Sequence, residues 1–191
     1  AKAFDVYSKE YLATDGQLYW SDTHQLSYYP DGYHRSLDQR MRGSAPGSEM
    51  ISELYVPRSE LARFFADMRE DFRRHGTEVI YGTIRLIEQD DESFLAWARQ
   101  PWACTVLNLH VSHTPDGIER AAAAFRRLIE LARKRGGSYF LTYHKWATRE
   151  QVSACYPQFQ EFLKLKRRFH PEERFQSDWY HHYRTLFADV L

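Results

Sequence analysis

Four consecutive side chains, Tyr143, His144, Lys145 and Trp146, form the densest group of chemically able residues in this sequence. A histidine titrates near neutrality and can move a proton. A lysine can place a point charge beside a developing anion, and flanking aromatics can wall a pocket. His144 is therefore a candidate general base, Lys145 a candidate charge and Trp146 a candidate wall, with a capping or structural role as the alternative for His144. A second candidate is Arg85, which lies among Ile84, Leu86 and Ile87 and shares a strand face with Tyr81 and Thr83. It can hold a carboxylate or polarise a substrate oxygen, or it reaches solvent from an open sheet face. In the run Asn108 to His113, period-two alternation puts His110 and Ser112 on one face and His113 on the other. His110 and His113 therefore cannot share a metal. His181-His182 and His170 have no cysteine or carboxylate at ligand spacing, so no metal site is assigned to them. There is no nucleophile elbow, phosphate loop or dinucleotide fingerprint, and any redox cofactor would be held elsewhere.

The elements that must position these groups follow from periodicity and punctuation. Met50 to Val56 reads as a strand, and Ser59 opens a helix carrying Leu61, Phe64, Phe65, Met68 and Phe72 on one face, closed by Gly76. Val79 to Glu88 is a second strand with Gly82 inside it. Asp90 to Trp102 is a short helix or loop, and Thr105 to His113 a third strand. Thr114 and Pro115 start a helix that ends at Arg133-Lys134-Arg135-Gly136. The stretch from Ser138 begins as a fourth strand, with Tyr139, Leu141 and Tyr143 alternating against Phe140, Thr142 and His144. Thr148-Arg149-Glu150-Gln151 is a capping box. Further helices are expected over Thr148 to Cys155, Pro157 to Phe169 and Trp179 to Val190. The order β-α-β, crossing segment, β-α-β predicts an α+β, ferredoxin-like antiparallel sheet with helices on one face. Residues 1–48 read as an aromatic arm and linker, with turns at Asp15-Gly16 and Pro30-Asp31-Gly32 and a short helix over 33–42. Residues 49–147 read as the ferredoxin-like domain and 148–191 as a C-terminal helical extension.

Composition narrows the classes. Lys plus Arg equals Asp plus Glu, 26 of each in 191 residues, which argues against a nucleic-acid binder. The basic run at Lys164 to Arg168 reads as a solvated helix face. No apolar run is long enough to span a membrane. Cys104 and Cys155 fit a reduced, cytoplasmic pair better than a disulfide or zinc framework. The opening Ala-Lys-Ala-Phe, without Met, suggests a processed chain or a piece of a longer one. The aromatic share of 16% implies an interface or pocket beyond an ordinary core.

In order, YVPRSELARFF, VIYGTIRLI, NLHVSHTPDG, YFLTYHKWATREQ and FLKLKRRFHPEERFQSDWY resemble the C-terminal half of FAD-linked oxidoreductases of the vanillyl-alcohol-oxidase type, over about Glu49 to Tyr180. His170 replaces the usual Asp of the tail motif. The aldonolactone and alditol oxidase branch carries a Glu-x-Arg pair on the second cap strand, and here Arg85 matches the Arg while Thr83 occupies the Glu position. His110, Ser112 and His144 are similar to that branch, whereas Lys145-Trp146-Ala147 departs from it. The Tyr-rich fourth strand and its helix start are similar to the sterol side-chain reductases instead. The resemblance implies a cap over the flavin of an FAD-dependent oxidoreductase, which positions a hydroxylated or unsaturated small-molecule substrate. FAD would be bound mainly by an N-terminal domain outside this chain, leaving the chain inactive alone. On that reading Arg85, His144 and Lys145 are catalytic, and Tyr81, His110, Ser112 and Trp146 contact substrate. The rivals are a stand-alone ferredoxin-like ligand-binding or dimerisation module, which makes a homo-oligomer one expected state, and a metal-dependent hydrolase using the His cluster.

Overall fold

The computed structural model describes residues 46–191, residues 12–18 and the single positions 9 and 39. The expected turn at Asp15-Gly16 is present, with Gly16 at φ 73°. The turn at Pro30-Asp31-Gly32 and, apart from position 39, which is helical, the helix expected over 33–42 lie outside the described residues, whereas Gly47 and Ser48, expected as linker, belong to the first strand. From residue 46 onward the chain is α+β. Its strands are β1 (Gly47–Pro57), β2 (Val79–Ile87), β3 (Trp102–Ser112) and β4 (Ser138–Tyr139). Its helices are α1 (Leu61–His75), α2 (Pro115–Lys134), α3 (Arg149–Cys155), α4 (Phe159–Phe169) and α5 (Asp178–Leu186). The four strands make one antiparallel sheet in the order β2-β3-β1-β4.

Alternation sorts the sheet into two faces. Leu54 and Val56 of β1, with Ala103, Leu107 and Leu109 of β3, join Phe64, Met68, Phe125, Leu128 and Ile129 of the helices in the main core. The other face carries a smaller cluster of Tyr55, Ala98, Trp102, Cys104 and Val106, to which no helix contributes among the described residues. Arg127 of α2 reaches Asp71 of α1 at 2.9 Å, and Arg135 reaches Glu60 and Asp67 at 2.8 and 2.6 Å, bracing the helical layer at its surface.

Local signals act largely as their chemistry dictates. Thr114 Oγ1 accepts from the Gly117 N–H at 3.0 Å, with Pro115 in the first turn of α2. Thr148 and Gln151 form the reciprocal capping box of α3. Gly76 closes α1 at φ 60°. Ser59, expected as a cap, instead sits in a 3₁₀ turn (Arg58–Glu60), and α1 starts at Leu61 with no side-chain cap. Phe65, expected on the core face, is exposed. The segment between β2 and β3 is a loop pinned by Asp90, whose carboxylate accepts from the Glu92 and Ser93 N–H groups.

The fourth strand is a correction. It spans two residues rather than running towards His144. The Phe140 N–H still donates to the Glu53 carbonyl at 2.9 Å. Beyond that, side chains take the carbonyls: the Tyr156 hydroxyl donates to Tyr139 O, and Trp179 Nε1 donates to Leu141 O at 3.1 Å. Backbone from 141 to 147 is therefore a turn and loop, and His144, Lys145 and Trp146 sit on it.

Candidate functional site

The face without helices holds a charged pair. Glu53 on β1 is 8% exposed. Its Oε1 accepts from Arg85 Nη1 at 3.2 Å, and its Oε2 accepts from the Tyr55 hydroxyl at 2.9 Å. Register explains the meeting. Tyr55, Cys104 and Arg85 form one cross-strand row, and Glu53, Val106 and Thr83 form the next. A carboxylate this buried needs a partner, because taking an unpaired charge out of water costs several kcal/mol. Arg85 supplies it while its own side chain stays 59% exposed. The remaining guanidinium N–H groups have no partner among the described residues, so the pair offers a ligand both a donor edge and a carboxylate acceptor.

Aromatic walls close one end of this pair. Trp97, from the loop after β2, lies 5.1 Å from the Tyr55 ring and edge-on to Phe140 at 6.1 Å, and the Phe140 ring lies 4.9 Å from Tyr143. Burial and then the nearby Glu53 charge raise the Tyr143 phenol above its ordinary pKa, and the same causes push the Cys104 thiol up to about 12. Cys104 is therefore a thiol and no nucleophile at neutral pH. The other end is open towards Ile51, Asn108 and Tyr81, with Asn108 Nδ2 donating to Glu49 at 3.3 Å.

The expected site residues fall into separate places. Arg85 and Tyr81 share the open face. His110 and Ser112 follow Cys104 along the same register, but His110 is six residues beyond it, about 20 Å along the strand. There both line a cavity of about 250 Å³ against the first turns of α2. His144 and Trp146 belong to the helical side. His144 is 5% exposed, with its ring 4.3 Å from Phe125 and 5.6 Å from Trp146. Its Nδ1 is buried without a partner, and desolvation lowers its pKa to about 4. Lys145 lines a depression with Asp178, His181, His182 and Thr185 of α5, where burial and then Lys145 depress the His182 pKa. The loop from Phe140 to Trp146 thus wraps the sheet edge, with Tyr143 on the open face and His144 behind it. Among the described residues no group of three His, Cys, Asp or Glu is placed to hold a metal.

Glu53 and Tyr55 are the functional candidates that sequence reasoning missed. The signal was partial: a lone carboxylate inside the apolar strand ISELYVP has to find a partner on its face, but which cation meets it is set by the register across β3. A scan against protein-family models and a search of curated proteins find no match to the chain.

Proposed function

We propose that this chain is the substrate-side cap of an FAD-dependent oxidoreductase. The observation that carries the reading is the Glu53–Arg85 pair on a sheet face that no helix covers among the described residues. The element order and the strand order β2-β3-β1-β4 support the ferredoxin-like plan of two split β-α-β units. Glu53 lies in the cross-strand row of Thr83, the position where the alditol oxidase pattern has its Glu. The carboxylate lacking on β2 is thus supplied from β1.

A flavin held by its own domain would supply hydride acceptance, and the described residues here suit the substrate side of such a reaction. Arg85 donates to a substrate oxygen and stabilises negative charge on it. Glu53 accepts from a substrate hydroxyl and holds the guanidinium in place. Because Glu53 cancels much of the Arg85 charge and repels a second carboxylate, the pair suits a neutral hydroxylated substrate better than an anionic one. Tyr81, Tyr143 and Trp97 wall the site and exclude water. Buried and uncharged at neutral pH, His144 holds the 140–147 loop by packing, and no proton transfer is assigned to it.

The test extends the coding sequence upstream in its own reading frame and records a visible spectrum of the purified product. Flavin absorbance is expected. In that longer protein, Arg85→Ala should slow flavin reduction by substrate roughly a hundredfold, the scale of losing one preorganised donor. A colourless product after FAD is supplied, or unchanged reduction by the variant, overturns the reading in favour of a ligand-binding module without redox chemistry.

A further inference from the structure

We propose that β2 is the contact between two copies of this chain, paired antiparallel across a two-fold axis at Ile84 into a continuous eight-stranded sheet. This stands apart from the flavin reading. The two edges of the sheet differ in kind. At the β4 edge the strand is two residues long, and the Tyr156 and Trp179 side chains occupy the carbonyls of Tyr139 and Leu141. Among the described residues the β2 edge is long and bare: Tyr81, Ile84 and Leu86 are 58, 51 and 67% exposed, although they lie in a regular ladder with β3. Natural edges are blunted by proline, lysine, brevity or bulges. Here there is a bulge, an irregularity between Val79 and Tyr81 that leaves Tyr81 to Ile87 regular, and one charged side chain, Arg85, which Glu53 engages.

Self-pairing of that stretch is complementary in shape and charge. Centring it on Ile84 matches all of Tyr81 to Ile87: Tyr81 with Ile87, Gly82 with Leu86, Thr83 with Arg85, and Ile84 with its own copy. Gly82 has no side chain, and Leu107 Cδ2 stands 3.1 Å from where its Cβ would be, so the partner subunit's Leu86 meets backbone and the Leu107 side chain there. Ile84 packs on itself at the axis, where opposed side chains come within about 5 Å. The one charge in the stretch, Arg85, is already paired with Glu53. It faces the partner subunit's Thr83 directly; the partner subunit's Arg85 lies on the diagonal, and each guanidinium is offset by its own Glu53. A two-fold interface requires such self-complementarity, which an unrelated strand would meet only by chance. The partner subunit's Tyr81 then falls on the diagonal from Arg85, within reach of a long side chain, and adds a wall to the Glu53–Arg85 site.

The test is sedimentation equilibrium on the full 191-residue chain, with hydrogen exchange at two concentrations. A dimer is expected, with β2 amides gaining protection as concentration rises. Ile84→Lys, which sets two ammonium groups against each other on the axis, should weaken dimerisation roughly tenfold or more. Ile84→Cys should form an intersubunit disulfide on mild oxidation. Phe175→Ser, at an exposed aromatic away from the sheet, should leave the dimer intact. A monomer at every concentration, a dimer indifferent to Ile84→Lys, or one dissolved by Phe175→Ser would each overturn the proposal. Should Ile84→Lys fail to fold, concentration-dependent protection of wild-type β2 decides the matter.

Discussion

Burial of His144 among Phe125, Tyr139 and Trp146 makes it the residue whose ionisation most threatens this fold. In the unfolded chain it takes its proton near pH 6.5, and in the folded chain near 4, because desolvation penalises the imidazolium. The unfolded state therefore binds more protons throughout that window. Its stabilising contribution is complete above about pH 6.5 and is lost as the pH falls towards 4. The loss amounts to roughly 3 kcal/mol, from the difference between 6.5 and about 4 at about 1.4 kcal/mol per pH unit. Urea titrations from pH 7.5 to 4 should show this decline in the wild type and a shallower one in His144→Phe, since the ring is kept and Nδ1 has no partner to lose. Parallel slopes for the two proteins would remove His144 as the cause. Glu53 works by the opposite logic, because its burial is compensated. Arg85→Ala leaves the carboxylate with only the Tyr55 hydroxyl and should cost more stability than Glu53→Gln. Thermal melts of both variants decide that order.

At the scale of elements, the tightest constraint is the turn from α2 into β4. A Cβ on Gly137 would run into the backbone carbonyl oxygens of Tyr55 and Ala132, atoms that cannot swing aside. Gly137→Ala should therefore destabilise by roughly 3 kcal/mol or more, at the upper end for overpacking. Denaturant unfolding of that variant checks the figure, and a loss near zero would mean that the helix–strand corner gives way. Such corners, the caps of α2 and α3, and the periodic apolar faces were legible in the sequence because they depend on residues close in the chain. The two-residue length of β4 was not. It is set by Tyr156 and Trp179, which arrive from later helices to take the carbonyls a longer ladder would use. For the same reason Glu53 escaped notice while Arg85 did not. The oddity of Arg85 shows within its own strand, whereas the role of Glu53 depends on a register across β3 that no local pattern encodes.

For the molecule as a whole, the sheet acts as a partition. On the proposed flavin reading, hydride transfer would require near-contact between flavin and substrate, so only one side of the packed sheet would meet a flavin domain. The open face presents Arg85, Tyr81, Tyr143 and Ile51, with Phe94 at the tip of the loop beside it, an apolar and aromatic surface of the kind that marks docking sites. Lys145 and the His181-His182 pair lie with the helices, away from that face. If the proposed flavin reading holds, Tyr81 and Tyr143 should be shielded from hydroxyl-radical labelling in the upstream-extended product relative to the 191-residue chain, while Lys145 acetylates equally in both. Lys145→Ala should accordingly leave flavin reduction within about twofold of wild type, beside the roughly hundredfold effect of Arg85→Ala. Shielding of Lys145 with Tyr143 left reactive would mean that the flavin meets the helical side. The depression beside α5 would then be the substrate site, and the Glu53–Arg85 pair would be a structural ion pair on an outer surface.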